Sequence, residues 1–195
     1  MGRIKFDIAG WKAKLLNGAD INKSDEKGWT ALDYAIRADS IEGVEFCINK
    51  GADVNLNNKP MFLAADYSKN PKLIDLLVKS GADIDGRGKD EMTPLMCAVL
   101  GFIKDNYDVV KKMIDLGADI NTRDNNGDTP LFMAAYGNKN PEVIKALLEY
   151  GADVNIRDDS GKTALEYTYK NYRVRKILLH YKEQINRIDK RKIIK

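Results

Sequence analysis

The sequence predicts an all-α solenoid in which helix-turn-helix units stack one on another, joined by short β-hairpin turns. Three observations lead there. The five-residue string Gly-Ala-Asp-Ile/Val-Asn/Asp begins at Gly18, Gly51, Gly81, Gly117 and Gly151, at steps of 33, 30, 36 and 34 residues; self-similarity at a near-constant period marks a repeat array. Between successive strings lie two apolar-periodic stretches, one helix each. The 195 residues are 44% hydrophobic and 31% charged, enough apolar side chain to fill an interior. One elongated stack therefore replaces the one or two globular domains that length alone suggests.

Residues 1–22 read as a half-unit or cap, a single helix in which Trp11 and Leu15 share a face with Ile8 and Leu16 nearby. The first full unit, 23–55, opens on Asp25-Glu26-Lys27-Gly28, where Gly28 supplies the positive φ of a tight turn. Thr30 caps a helix that buries Leu32, Ala35 and Ile36; Asp39 or Ser40 caps a second presenting Ile41, Val44, Phe46, Cys47 and Ile48.

The second unit, 56–85, has lost part of its turn: Gly51 to Lys59 spans 8 residues where the other units have 12 between glycine and threonine. Lys59 replaces the capping threonine, so the hairpin should be absent or stubby. The third unit, 86–121, inserts residues between its helices within Gly101–Tyr107 and has Glu91 where the turn wants glycine. Its hairpin must bend differently or bear strain, with Gly86 and Gly88 moving the flexible point upstream. Asn70-Pro71 and Asn140-Pro141 read as cap and first helical residue. The fourth unit, 122–155, is regular. The fifth, 156–195, keeps Thr163-Ala164-Leu165 and then a capping helix of about four turns, with Val174, Ile177, Leu178, Tyr181, Ile185 and Ile188 on one face and Arg173, Arg175, Lys176, Lys182 and Arg187 on the other, leading into a basic tail.

The run Asp124-Asn125-Asn126-Gly127-Asp128-Thr129-Pro130-Leu131-Phe132-Met133-Ala134-Ala135, then Val143-Ile144, Leu147-Leu148 and Gly151-Ala152-Asp153, resembles the ankyrin repeat. With the other units in register, the resemblance covers residues 11 to about 179. The pattern also has physical reasons of its own. Pro94 and Pro130 fix φ in the first helical turn, where a missing N–H costs nothing, and Thr93 and Thr129 precede them as caps. Ala64-Ala65 and Ala134-Ala135 let helices approach closely, while each Gly-Ala-Asp glycine ends a helix in the left-handed conformation. Phe132 stands where the family usually has His, which removes one side-chain hydrogen bond from that turn.

Residues 170–195 hold ten Lys and Arg against two acids, leaving 22 basic and 27 acidic residues before them. A solvated face at the end of a stack accounts for such a run; nucleic acid or anionic lipid binding through 173–195 is the sharper alternative. Little supports catalysis. His180 is the sole histidine, no Gly-x-Ser-x-Gly elbow or phosphate-cradling glycine loop occurs, and Cys47 and Cys97 lie in helical patterns as core thiols of a reducing compartment. The five Gly-Ala-Asp carboxylates are too far apart for one calcium shell and read as turn acceptors. No metal, cofactor or small-molecule ligand is expected. The run Ala98–Ile103 is too short to span a bilayer, residues 1–20 lack a signal-peptide core, and Phe6 breaks the myristoylation pattern begun by Gly2. The expectation is a cytoplasmic chain, or one delivered to a host cytosol.

The resemblance implies a curved stack whose partners bind along the hairpin tips and the exposed face of the first helices. Carried over position by position, the contact sites are Glu26, Lys27, Trp29, Arg37, Asn58, Asp66, Tyr67, Lys89, Asp90, Met92, Leu100, Asn125, Asn126, Asp128, Tyr136, Asp159, Ser160 and Lys162. Trp29, Arg37, Tyr67 and Tyr136 lead them, because aromatics and arginine dominate interface energies. Trp29→Ala and Tyr136→Ala should each weaken a partner by about 1 kcal/mol or more with the melting temperature nearly intact; the alternative is that these rings cover helix junctions. The expected function is a monomeric, non-catalytic protein–protein interaction module acting as adaptor, effector or inhibitor, with units two to four as the specific part of the groove. Its alternatives are a tether through the basic helix, or a fragment of a larger multidomain enzyme. The usage of 23 Lys to 9 Arg suits an AT-rich genome, such as those of some bacteria or their viruses. In bacteria the family serves as host-directed effectors and as inhibitors or immunity proteins.

Overall fold

The computed structural model describes residues 6–101, 106–137, 140–169 and 171–193, with the side chains of 186 and 188–193 outside the description. Among these residues the helices are α1 (Ile8–Leu16), α2 (Ala31–Arg37), α3 (Ile41–Asn49), α4 (Lys59–Tyr67), α5 (Pro71–Lys79), α6 (Pro94–Leu100), α7 (Tyr107–Asp115), α8 (Pro130–Gly137), α9 (Pro141–Glu149) and α10 (Tyr172–Ile193). The first helices α2, α4, α6 and α8 touch in succession, and the second helices α3, α5, α7, α9 and α10 form a parallel row behind them. The molecule is a two-layer helical solenoid. Strand structure is almost absent: the one bridge among the described residues pairs Arg157 with Thr163.

The first helices α2 and α6 start where a threonine closes a cap. Thr30 Oγ1 accepts from Asp33 N at 3.2 Å while Asp33 Oδ2 accepts from Thr30 N at 2.9 Å, a reciprocal box that satisfies two orphan donors. Thr93 does the same for Met96 N. Small residues line the contact between first helices, with Ala31, Ala35, Ala64, Ala98 and Ala134 fully buried. Second helices begin at Ser40, Asn70 and Asn140, whose side chains accept from Gly43, Lys72 and Glu142 N–H groups. They end at the repeat glycines, all with φ between +81° and +97°, a region where glycine alone avoids a Cβ penalty. Gly43 inside α3 is explained by packing: a Cβ there would meet the Phe6 ring at 2.6 Å.

The Gly-Ala-Asp strings are stitched both within and between units. Oδ1 of Asp20, Asp53, Asp83, Asp119 and Asp153 each accepts the backbone N–H two residues on, the turn-stabilising role read from the sequence. Asn22, Asn55 and Asn121 each span to the next unit, donating Nδ2 to its glycine carbonyl and accepting from its aspartate N–H.

The departures are local. Leu56–Asn58 form a 3-10 turn with Asn57 and Asn58 at φ +55° and +56°, leading straight into α4 without a hairpin. Asp90 and Glu91 both sit at φ +58°, so the third hairpin stores the strain its missing glycine foretold. The insertion expected within Gly101–Tyr107 falls largely on residues 102–105, outside the description; its near end, Gly101, has φ +25°. In the fifth unit the first helix is a short 3-10 turn, Ala164–Thr168. Two expectations need correction. The capping helix is 22 residues rather than about four turns, because Lys, Arg, Glu and Gln sustain a helix beyond the residues that touch the core. Cys97, read as a core thiol, is only half-buried, while Cys47 is fully buried.

Candidate protein-binding surface

Three hairpins share one construction. The first-position aspartates Asp25, Asp124 and Asp158 each use Oδ1 to accept two backbone N–H groups: Lys27 and Trp29, Asn126 and Asp128, Ser160 and Lys162, at 2.8 to 3.0 Å. The second oxygen needs a donor of its own. Asp25 Oδ2 takes the Tyr34 hydroxyl at 2.6 Å, and Asp158 Oδ2 takes the Tyr167 and Ser160 hydroxyls. The Tyr34 hydroxyl, followed by the Trp29 N–H, holds Asp25 below the usual carboxylate range. Burial pushes Asp158 up, but Tyr167, the Lys162 N–H and Ser160 outweigh it and bring it to about 2. At Asp124 the residue nine positions on is Met133, and among the described residues Oδ2 receives only Asn126 Nδ2 at 3.4 Å.

Backbone struts join the later hairpins into one surface. Asn125 N donates to Asp90 O and Asp159 N to Asn126 O, both at 3.0 Å. Arg87 Nη1 bonds Glu91 O and Arg123 O, while Arg123 Nη2 bonds Arg157 O at 3.1 Å and Asp159 Oδ1 at 2.9 Å. The second unit has no hairpin to continue this row, so the first hairpin stands apart.

Around that first hairpin, several expected contact residues hold one another. The Trp29 ring lies 5.4 Å from Tyr34 and has Lys59 Nζ at 4.6 Å and the Arg37 guanidinium at 5.1 Å. Arg37 also lies 4.8 Å from the Tyr67 ring. Lys59 Nζ in turn bonds Gly28 O at 2.7 Å and the buried Asp33 Oδ2 at 2.9 Å. Trp29 is thus clamped within its own chain, and the expectation that Trp29→Ala leaves stability intact does not fit this packing.

A second group converges on a cavity of about 260 Å³ between α6, α8 and the Ala164–Thr168 turn. Six of the expected contact residues line it: Asp90, Met92, Leu100, Asn126, Asp128 and Tyr136. Four lining residues were not anticipated: Asp124, Phe132, Met133 and Tyr167. Phe132 and Met133 are almost fully buried and form its floor, whereas Tyr136 is 72% exposed at its rim. Burial raises the Asp128 pKa to about 6, helped by the charges of Asp124, Asp158 and Asp159. The signal that could have revealed Asp124, Met133 and Tyr167 was the nine-residue spacing Asp25–Tyr34 and Asp158–Tyr167, broken at Asp124–Met133.

The remaining expected residues do not converge. Glu26, Lys27, Lys89, Asn125, Asp159, Ser160 and Lys162 are exposed along the hairpins, and Asn58 donates Nδ2 to Arg87 O as a strut. Asp66 is half-buried and raised by burial, and Cys97 is pushed to about 12 by burial and by the charge of Asp66. His180 is exposed and paired with Gln184 Nε2 at 2.9 Å. Among the described residues no group of three or more His, Cys, Asp or Glu could hold a metal ion, and no helix is long and apolar enough to cross a membrane.

The stacked helix pairs with their glycine-terminated second helices define a helical repeat protein. Family models described as Ankyrin repeats (3 copies) match residues 56–124 and 95–189, and one described as Ankyrin repeats (many copies) matches 3–46. The chain belongs to the ankyrin-repeat family. It is 36% identical over 100 residues to ankyrin repeat protein L271 of Acanthamoeba polyphaga mimivirus, covering 50% of this chain and 13% of that one. It is 32% identical over 140 residues to ankyrin repeat protein FPV031 of Fowlpox virus, 66% of this chain and 40% of that one. An L-asparaginase of Dirofilaria immitis is 30% identical over 132 residues, 66% of this chain and 22% of the other. The chain spans less than half the length of each of these relatives. Ankyrin repeats are in general protein–protein interaction modules.

Proposed function

We propose that this chain is a non-catalytic protein-binding module whose partner lies across the third, fourth and fifth hairpins and the first helices beside them. The cavity under Tyr136 carries the reading: an exposed aromatic over an apolar floor, ringed by hairpin carboxylates, is the anchor-and-pocket arrangement that concentrates binding energy. The first hairpin, with Glu26, Lys27, Arg37 and Tyr67, extends the surface, Asp66 lies between, and Lys89, Asn125, Asp159 and Lys162 frame the later hairpins. The unit boundaries read from the sequence give each hairpin its own helix pair. A role as adaptor, effector or inhibitor, in the cytoplasm or a host cytosol, fits such a module, and the lysine-rich usage supports a bacterial or viral source.

One observation favours a second reading. The helix α10 continues well past its buried Val174 and Leu178, with Arg173, Arg175, Lys176 and Arg187 exposed along it, a surface suited to nucleic acid or anionic lipid. The small share of its relatives that the chain spans leaves room for the third reading, a module within a larger protein.

A pull-down from host lysate at low and high salt separates them, using the intact chain, a chain truncated after Asp189, and Tyr136→Ala. A partner that survives salt and truncation but is lost with Tyr136→Ala supports the module. Capture that vanishes with salt or with the tail overturns it in favour of the basic helix.

A further inference from the structure

Resting on that reading, we propose that the cavity beneath Tyr136 receives a lysine or arginine side chain of the partner, whose N–H groups complete Asp124 and pair with Asp128. The first argument is a missing donor. Two of the three hairpin aspartates have a tyrosine hydroxyl on the second carboxylate oxygen. Asp124 has Met133 in that position; its Oδ1 accepts the Asn126 and Asp128 N–H groups, but among the described residues its second oxygen has only a 3.4 Å bond from Asn126 Nδ2, although the residue is only 8% exposed. A buried carboxylate whose second oxygen has room for a stronger donor thus lines an open cavity.

The second argument is charge. Asp90, Asp124 and Asp128 line the cavity, and Asp158 and Asp159 lie near enough to act on Asp128. Among the described residues no basic side chain lines it. Of the nearby cations, Arg123 pairs with Asp159 and Lys162 lies over the Tyr167 ring at 5.5 Å, so neither is bonded to Asp90, Asp124 or Asp128 among the described residues. A neutral donor would serve Asp124 yet leave the charges of Asp90, Asp124 and Asp128 without a cation.

Shape and chemistry then narrow the occupant. The cavity of about 260 Å³ falls below the roughly 300 Å³ at which small-molecule sites begin, and suits one inserted side chain. Its floor of Phe132 and Met133, with Met92 beside them, matches the methylene stem of lysine or arginine, which buries its carbons while the head group meets polar partners. A bare metal ion is disfavoured, because no group of three or more candidate ligands comes together among the described residues.

The test titrates the isotope-labelled full chain with N-acetyl-arginine amide and, in parallel, with the uncharged isostere N-acetyl-citrulline amide, following backbone amide shifts. The expected result is arginine-dependent shifts confined to Asp90, Asp124, Asp128 and Phe132, absent with citrulline. Met133→Tyr, which restores the in-chain hydroxyl and fills the space, should abolish them; Asp128→Asn should weaken binding about tenfold, the scale of one charge-assisted bond. Binding should also weaken as pH falls through about 6, where Asp128 takes up a proton. Equal shifts with citrulline, shifts elsewhere, or binding indifferent to both variants would overturn the proposal. A partner captured in the pull-down and lost with Tyr136→Ala, alongside a failed titration, sinks the cationic pocket and leaves the binding module standing. Absence of any such partner sinks the module itself.

Discussion

Asp85 accepts the backbone N–H of Asp119 at 2.9 Å, and in doing so takes the place that asparagine holds elsewhere in the stack. Asn22, Asn55 and Asn121 make the same acceptance and also donate Nδ2 to the glycine carbonyl of the next unit. An ionised Asp85 cannot donate to Gly117. Burial, set against the Asp119 N–H, raises its pKa above the usual range.

Asp85→Asn is therefore expected to stabilise the fold by about 1 kcal/mol near neutral pH, one added hydrogen bond, read as a higher urea midpoint. The sign with pH follows from the raised folded value. Stability linked to Asp85 is fully present below its unfolded pKa and is lost as pH rises through the folded one. The advantage of asparagine should shrink on acidification. A variant no more stable than the parent at neutral pH would show that Gly117 is satisfied another way.

Glu91 holds φ +58° where Gly28, Gly127 and Gly161 hold +72° to +79° in the other hairpins. Glutamate has no local bond that rewards this conformation as aspartate can. Glu91→Gly should raise stability by about 1 kcal/mol, measured by denaturant unfolding with an unchanged m-value. A loss would mean that the glutamate side chain contributes something the backbone angle conceals.

Thr129 Oγ1 is buried without a hydrogen-bond partner, because the N–H of Phe132 goes instead to the Thr129 carbonyl at 2.9 Å. A histidine in place of Phe132 would have offered a side-chain partner; phenylalanine instead packs edge-on to Tyr167, with centroids 5.8 Å apart. Thr129→Val should accordingly be neutral or stabilising, whereas Thr30→Val, which breaks a complete capping box, should cost about 1 kcal/mol. Thermal melts of the pair decide it; equal losses would refute the difference.

Trp29 and Tyr136 should separate cleanly. Trp29→Ala uncovers Tyr34 and strips two cations of their ring, so a loss of about 2 kcal/mol in stability is expected. Tyr136, 72% exposed, should alter stability by less than about 0.5 kcal/mol on truncation yet weaken the partner by about 1 kcal/mol or more. Calorimetric melts beside a binding titration check both halves.

Much of the fold was readable because its determinants lie close in sequence. Thr30 and Asp33, or Asn70 and Pro71, are helix starts whatever surrounds them. The count from Gly51 to Lys59 foretold a missing hairpin, and Glu91 a strained one. Less of the surface was readable. Hairpin and helix positions placed Asp90, Met92, Leu100, Asn126, Asp128 and Tyr136 among the contacts but could not say that they share one cavity. The role of position 133 shows only in the fold, where the tyrosines at its equivalent places serve the hairpin aspartates.

The sequence by itself determined the repeat, its period, most of its helix starts and the location of its irregular units, since each rests on backbone conformations set within a few residues. Only the tertiary structure decided that Lys59, standing where the cap is lost, reaches back to Gly28 and Asp33, that Arg123 ties two hairpins, and that six of the expected contact residues share one cavity. The physical reason is distance along the chain. Lys59 meets Asp33 across 26 residues and Arg123 meets Asp159 across 36, so these contacts exist only once neighbouring units have stacked and each side chain has found what the next repeat presents.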